Sequence, residues 1–244
     1  MKSESILSMK KSASILIVED EAAIRVGLVD VLIYHGFAVD YAEEGLSGLE
    51  RALTGKYDLI LLDVMLPNMD GFQICTKIRE QDKGQPIIML TAKSTDEDVI
   101  NGFTLGADDY VSKPFSVTQL ILRIKSVLRR SIPETTELTF IQLDENRRID
   151  LQNLCIEIGK NNLPFTKREI EVLEYLQRNN QRPVAREELL SSVWGYSESM
   201  DIETRTVDIH IARIRRKIEI DPKNPNFLIT VRGAGYRLIC ASSS

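Results

Sequence analysis

The chain has 244 residues and a mass of 27.7 kDa, room for one large domain or two ordinary ones. Hydrophobic residues at 43% and charged residues at 27% exclude a disordered chain, and no apolar run approaches the roughly 20 residues a membrane span needs. The net charge of −5 hides a division: residues 1–130 carry 15 bases and 19 acids, whereas residues 204–237 hold eight bases and three acids.

Residues 1–12 read as a polar N-terminal extension without a secretory signal. Cys75, Cys155 and Cys240 match no C-x-x-C spacing, and an odd count argues against a disulfide framework. A reducing, cytoplasmic compartment is therefore expected. From residue 14, strand-like and helix-like segments alternate. Short apolar runs at 14–18, 37–41, 58–62, 87–90 and 109–112 predict strands. Between and after them, apolar residues at helical spacing predict helices over 21–35, 43–54, 71–80, 96–105 and 117–130. Five such units predict an α/β fold, a doubly wound five-stranded parallel sheet with helices on both faces. Functional groups in such a sheet gather at the carboxyl ends of the strands.

The rhythm breaks at residues 131–137, short and polar with one proline, which read as a linker between a first domain (13–130) and a second (138–244). Strand-like pieces follow at 138–141, 148–151 and 155–158. Helices are predicted over 166–179, 185–193 and 202–220, the first opening with the capping-box pair Thr166 and Glu169. Residues 228–239, with Gly233-Ala234-Gly235 at the turn, read as a hairpin.

In the first domain Glu19 and Asp20 follow the first strand and Asp63 follows the third. Thr91 and Lys113 follow the fourth and fifth. Three carboxylates at one rim repel unless a cation neutralises them, and an all-oxygen, partly hydrated site suits Mg²⁺. An aspartate there can act as a nucleophile toward phosphorus, with Mg²⁺ and a lysine balancing the phosphoryl oxygens. Each acidic residue taken singly fits a helix cap equally well; five polar residues at four strand ends do not.

Four segments carry a specific resemblance: Ile15-Leu16-Ile17-Val18-Glu19-Asp20-Glu21, Asp58 to Pro67, Leu90-Thr91-Ala92-Lys93 and Gly106 to Phe115. They resemble the flavodoxin-like receiver domain of two-component response regulators. The resemblance implies that Asp63 is the phosphoacceptor. Glu19, Asp20, Asp63 and the backbone carbonyl of Met65 would bind Mg²⁺. Thr91 and Tyr110 would form the switch pair, Lys113 would bind the phosphoryl group, and the Lys113–Pro114 bond would be cis.

The predicted helix at 202–220 carries two stripes. Val207, Ile211, Ile214 and Ile218 form an apolar one for the domain core. Arg205, Ile209, Ala212, Arg213 and Arg216 form a second, expected to face away from the core. An isoleucine among arginines suits a helix in the DNA major groove; a salt-bridged surface helix is the other reading, and the stripe alone does not separate them.

Residues 138–240 resemble the α+β winged-helix effector domain of OmpR/PhoB-type regulators, through Leu163 to Glu169, Arg186 to Leu190, Val193-Trp194-Gly195-Tyr196, Arg205 to Ile211 and Thr230 to Leu238. By this resemblance Arg205, Thr206, His210, Arg215, Thr230 and Tyr236 contact DNA phosphates, Ile209 and Arg213 reach base edges, and Arg232 on the wing enters the minor groove. Segment 196–203 resembles the part that touches RNA polymerase. The family dimerises through the predicted helix at 96–105, strand 109–112 and helix 117–130, with Asp109 and Arg123 as one interchain pair. Val99 and Gln119 are neutral where a charged pair is usual, and Thr104 leaves Lys125 without its mate. A weaker, less salt-sensitive homodimer is therefore expected.

The resulting expectation is a non-enzymatic, non-membrane DNA-binding regulator. A sensor histidine kinase phosphorylates it, and it dimerises on tandem half-sites. Two other readings compete. One is a DNA-binding regulator that ignores phosphorylation and answers to a protein partner. The other is an Mg²⁺-dependent phosphatase, disfavoured because Met65 stands where a second aspartate is wanted as general acid.

Overall fold

The computed structural model describes residues 12–91, 106–128, 139–196 and 205–241. Its first part contains β1 (Ser14–Val18), α1 (Ala22–Tyr34), β2 (Ala38–Ala42), α2 (Gly45–Ala52), β3 (Leu59–Asp63), α3 (Gly71–Gln81), β4 (Ile87–Thr91), β5 (Asp109–Ser112) and α4 (Val117–Leu128). The five strands are parallel, in the order β2-β1-β3-β4-β5. The predicted helix at 96–105, with Val99 and Thr104, lies outside the described residues, as do the extension 1–11 and the linker 131–137.

The period of two along each strand divides the core. Ile15, Ile17, Leu59, Leu61, Ile88 and Leu90 face one side, packing with Leu28, Leu32, Leu120 and Ile124 of α1 and α4. Leu16, Val18, Ile60, Leu62, Ile87 and Met89 face the other, packing with Ile74, Cys75 and Ile78 of α3. Every residue of β3 and β4 is buried, which explains their unbroken apolar runs. At the head of α3, Asp70 and Gln73 form a reciprocal capping box. Gly71 follows because a Cβ there would meet the Asp63 carbonyl oxygen at 2.1 Å.

The second part contains β6 (Phe140–Asp144), β7 (Arg147–Asp150), β8 (Cys155–Ile158) and β9 (Asn161–Pro164), an antiparallel sheet in that order. Helices α5 (Lys167–Arg178), α6 (Arg186–Trp194) and α7 (Arg205–Ile218) follow, then the hairpin β10 (Leu228–Val231) and β11 (Gly235–Leu238). Strand β9 was not predicted. Asn-Asn-Leu-Pro has poor strand propensity, and the segment forms only as a fully exposed edge paired to β8. The apolar stripe of α7 joins Trp194, Phe165 and Leu173 in a separate core. At the hairpin, a Cβ on Gly235 (φ +118°) would meet the Val184 carbonyl oxygen at 2.0 Å, where the backbones pair. Among the described residues no helix is long and apolar enough to cross a membrane.

Candidate functional site

Strands β1 and β3 are neighbours, so the residues after and at their ends meet. Carboxylate oxygens of Glu19, Asp20 and Asp63 lie within 4.8 Å of one another. Glu19 and Asp63 are buried and Asp20 is exposed. Lys113, just past β5, places its Nζ 2.9 and 2.7 Å from the two Glu19 oxygens and 3.1 Å from Asp63 Oδ2. Burial and the Asp63 charge push the Glu19 carboxyl above its ordinary range, against the pull of Lys113. Burial works to lower the Lys113 ammonium, but Glu19 and Asp63 outweigh it and the net shift is upward.

Among the described residues one ammonium therefore faces three carboxylates, and Asp63 Oδ1 is buried without a hydrogen-bond partner. A hard divalent cation with oxygen preference fits both facts: the donors are all oxygen, and a metal–oxygen bond satisfies a lone pair that no protein donor reaches. Met65, expected to lend its backbone carbonyl, follows β3 two residues after Asp63, with its side chain exposed.

Arg25 supports the site, and sequence reasoning missed it. From the buried face of α1 it donates to the carbonyl oxygens of Glu19 and Asp20, 2.9 Å each, and pairs with Glu43 at 3.0 Å. The signal was an arginine between apolar Ile24 and Leu28 on one helical face. Thr91 is buried at the end of β4, and its carbonyl accepts from the Lys113 amide at 2.7 Å. Tyr110 is half-buried against the α3-side core, and burial pushes its phenol up. The Lys113–Pro114 peptide is cis.

The basic helix departs from expectation. Its second stripe does not lie open. Ala212 and Arg216 are exposed, but Ile209 and Arg213 are only 7% and 4% exposed, and Thr206 and His210 are buried as well. The cover is the rim of the first part around β5. Arg213 donates to the Ala107 carbonyl at 3.0 Å, and Thr206 Oγ1 reaches Asp109 Oδ1 at 3.3 Å. Trp194 Nε1 donates to the Asp108 carbonyl at 3.2 Å, and the Tyr196 hydroxyl bonds Asp109 Oδ2. His210 lies edge-on to Trp194; burial and the nearby Arg213 and Arg168 hold its imidazole well below the usual range. Helical periodicity identifies a second face but carries no record of a distant surface that covers it.

Asp109 and Arg123, expected across a dimer, pair within one chain at 2.9 Å, both buried. Burial works against the Arg123 charge, but Asp109 outweighs it and raises the guanidinium. The Arg123 guanidinium also lies 5.2 Å from the centre of the Tyr196 ring.

Other expected phosphate contacts are engaged internally. Arg215 donates to the Leu228 carbonyl (2.7 Å) and to Thr230 Oγ1 (2.8 Å), tying α7 to the hairpin. The Tyr236 hydroxyl donates to Asp208 Oδ1 at 2.6 Å and accepts from Arg186 at 2.9 Å. Burial, then Asp208, pushes that phenol to about 12. Arg232 is exposed at the hairpin turn. The Arg205 side chain and residues 197–204, most of the expected polymerase-contacting segment, lie outside the described residues.

Comparison with known proteins agrees with both halves of this geometry. Residues 15–125 match the response regulator receiver domain, and residues 159–238 match the family described as transcriptional regulatory protein, C terminal. The sensory transduction protein RegX3 of Mycobacterium tuberculosis is 39% identical over 226 residues, covering 92% of this chain and 98% of the relative. The response regulator ArlR of Staphylococcus haemolyticus is 41% identical, covering 91% and 98%. A solved structure of a RitR mutant superimposes with a TM-score of 0.71 at 29% identity, covering 94% of this chain and all of the other.

Proposed function

The chain belongs to the OmpR/PhoB-type DNA-binding response regulators of two-component systems, and from that membership we propose a transcription regulator held closed until a sensor histidine kinase phosphorylates Asp63. The observation that carries the proposal is Asp63 itself: a buried carboxylate with one unpartnered oxygen, 3.1 Å from Lys113 and beside two further acids. One Asp63 oxygen attacks the phosphorus of a phosphohistidine. The P–O bond forms as the P–N bond breaks, and the electron pair leaves on the imidazole nitrogen, which takes up a proton. Glu19, Asp20, Asp63 and the Met65 carbonyl would hold Mg²⁺, which when bound would supply charge neutralisation for the phosphoryl oxygens. Lys113 shifts from Asp63 to a phosphoryl oxygen, and the Thr91 hydroxyl follows the new group. Val26 and Ile33 of α1, two turns apart and exposed, give the kinase an apolar foothold on the helix that leaves the site.

Strand β5 connects this chemistry to DNA. Lys113 follows its last residue, Tyr110 lies within it, and Asp109 begins it. Over four residues, about 13 Å of strand, a change at the phosphoryl site reaches the Asp109 contacts that cover the basic helix. Rearrangement of Thr91 and Tyr110 frees Asp109 and Arg123 from Tyr196 and Thr206. The same pair then serves a homodimer, weaker and less salt-sensitive than usual because Gln119 is neutral. Released, α7 enters the major groove. Ile209 and Arg213 read bases, Arg205, Thr206, His210, Arg215, Thr230 and Tyr236 face phosphates, and Arg232 enters the minor groove. Two effector units on tandem half-sites gain affinity through effective concentration, and residues 196–203 face RNA polymerase.

Asp63→Asn is the test. Acetyl phosphate with Mg²⁺ is expected to raise the DNA affinity and dimer fraction of the wild type at least tenfold, about 1.4 kcal/mol, and to leave Asp63→Asn unchanged. Equal responses of the two proteins would favour the regulator governed by a protein partner.

A further inference from the structure

The surface between the two parts encloses a cleft of about 230 Å³. Arg79, Lys83 and Gly106 line it from the receiver, and residues 163–166 with Arg213 and Lys217 line it from the effector. No carboxylate is among the lining residues. Four cations face the space. Behind them stand two acids: Asp108, 3.0 Å from Arg79, and Glu169, 2.6 Å from Lys217 and 3.2 Å from Arg213. Among the described residues four cations thus share two carboxylates, a surplus of two positive charges in a partly buried setting.

Three details show that the surplus is available to a ligand. Lys83 is exposed and has no acidic partner among the described residues. Arg213 lines the cleft with its guanidinium buried, its Nε 3.2 Å from Glu169 and sharing that single carboxylate with Lys217. Burial, with Arg213 and Lys83 nearby, holds the Lys217 ammonium below its usual range against the pull of Glu169, as expected where cations crowd. The cleft also opens at the start of the 12-residue α5, through its N-cap Thr166, so the positive pole of that helix adds to the field. Arg79 is already committed to the carbonyls of Gly106 and Gln85 and to Asp108, and supplies charge more than free donors.

We propose that this cleft is a binding site for a small anion carrying two linked phosphate groups, held chiefly by Lys83, Lys217 and Arg213. The volume is below the roughly 300 Å³ at which sites for drug-sized ligands begin, so the occupant is small. Two linked phosphoryl groups offer one anionic centre to Lys83 on one part and another to Lys217 on the other, both of which line the cleft. The inference rests on the closed arrangement described above, because the site exists only while both parts contribute to it. A ligand confined to the closed form stabilises that form by mass action and lowers DNA affinity by the same factor.

The probe is inorganic pyrophosphate, titrated calorimetrically into the unphosphorylated full-length protein. EDTA is present so that no Mg²⁺ complex reaches the acidic site, and ionic strength is fixed with sodium chloride. One saturable site is expected. Lys83→Glu, an exposed substitution on the receiver and so outside the DNA-reading surface, is expected to weaken it about tenfold or more, as for loss of a charged hydrogen bond. Pyrophosphate should also weaken DNA binding of the wild type, and about tenfold more of it should be needed for the same effect on Lys83→Glu. Hydrogen exchange of α7 without ligand reports the closed arrangement independently. If α7 is protected but binding is absent, or is equal in Lys83→Glu, the cleft proposal is overturned and the closed form stands. If α7 is unprotected, the closed form fails and the cleft with it.

Discussion

Lys113 is the residue on which the acidic site balances. Its side chain is 13% exposed and its ammonium touches two buried carboxylates. Removing one partner of a buried pair costs more than the pair contributes, because the remaining charge stays desolvated. Lys113→Met should therefore destabilise the metal-free receiver by about 3 kcal/mol. Millimolar Mg²⁺ should restore more stability to this variant than it adds to the wild type, since the ion then replaces the missing positive charge. Thermal melts of both proteins with EDTA and with Mg²⁺ check this, and identical Mg²⁺ responses would contradict it. The polar set was legible in the sequence because each member stands at or just after a strand end, where a one-dimensional pattern already fixes a three-dimensional position. Arg25 was not, because its role is to hold backbone carbonyls, and carbonyls have no sequence signature.

Elements with a strong period were read to within a few residues. Strands β1 and β5 and the capped start of α5 agree with expectation, because burial, alternation and capping act locally. Strand β9 was lost because pairing to β8, not propensity, makes it a strand. Glu169 shows how one residue outgrows its local role. It completes the capping box by accepting from the Thr166 amide, and it also pairs with Lys217 and Arg213 from α7, 44 to 48 residues away. Burial alone would raise its carboxyl, but Arg213 and Lys217 outweigh burial and the net shift is below the ordinary 4.5. A carboxyl whose folded pKa is depressed contributes stability that is complete above its unfolded value and is lost as pH falls through its folded one. Glu169→Gln keeps an acceptor for the cap and removes the charge. It should cost about 3 kcal/mol at pH 7, and its melting temperature should fall less steeply than that of the wild type below about pH 4.5. Parallel melting curves across that window would show that the two cations do not set the Glu169 titration.

At the scale of the whole molecule, the two domains were each legible and their contact was not. The second stripe of α7, proposed to read DNA, is expected from its spacing to lie open. The receiver rim covers it instead, by contacts from Ala107, Asp108 and Asp109 to residues nearly a hundred positions away, beyond the reach of any periodicity. Asp109 is the centre of that contact, since it holds Arg123, Tyr196 and Thr206 together. In the proposed scheme the closed form and the dimer compete for one ion pair, and the competition can be biased by a single oxygen. Tyr196→Phe removes the hydroxyl on Asp109 and keeps the ring beside the Arg123 guanidinium. A hydrogen bond to a charged group is worth roughly 1.5–3 kcal/mol, so the closed form should lose about ten- to a hundredfold in population relative to the open one. Unphosphorylated Tyr196→Phe should then bind target DNA more tightly than the wild type. Its phosphorylated form should match the wild type, because the dimer still has Asp109 and Arg123. Arg123→Ala should raise basal DNA binding in the same way but lose the phosphorylation-induced dimer. The contrast between these variants, read by gel filtration and DNA titration with and without acetyl phosphate, separates release of the cover from assembly of the dimer. If Tyr196→Phe leaves basal affinity unchanged, Asp109 does not restrain the reading helix, and phosphorylation must act on the dimer alone.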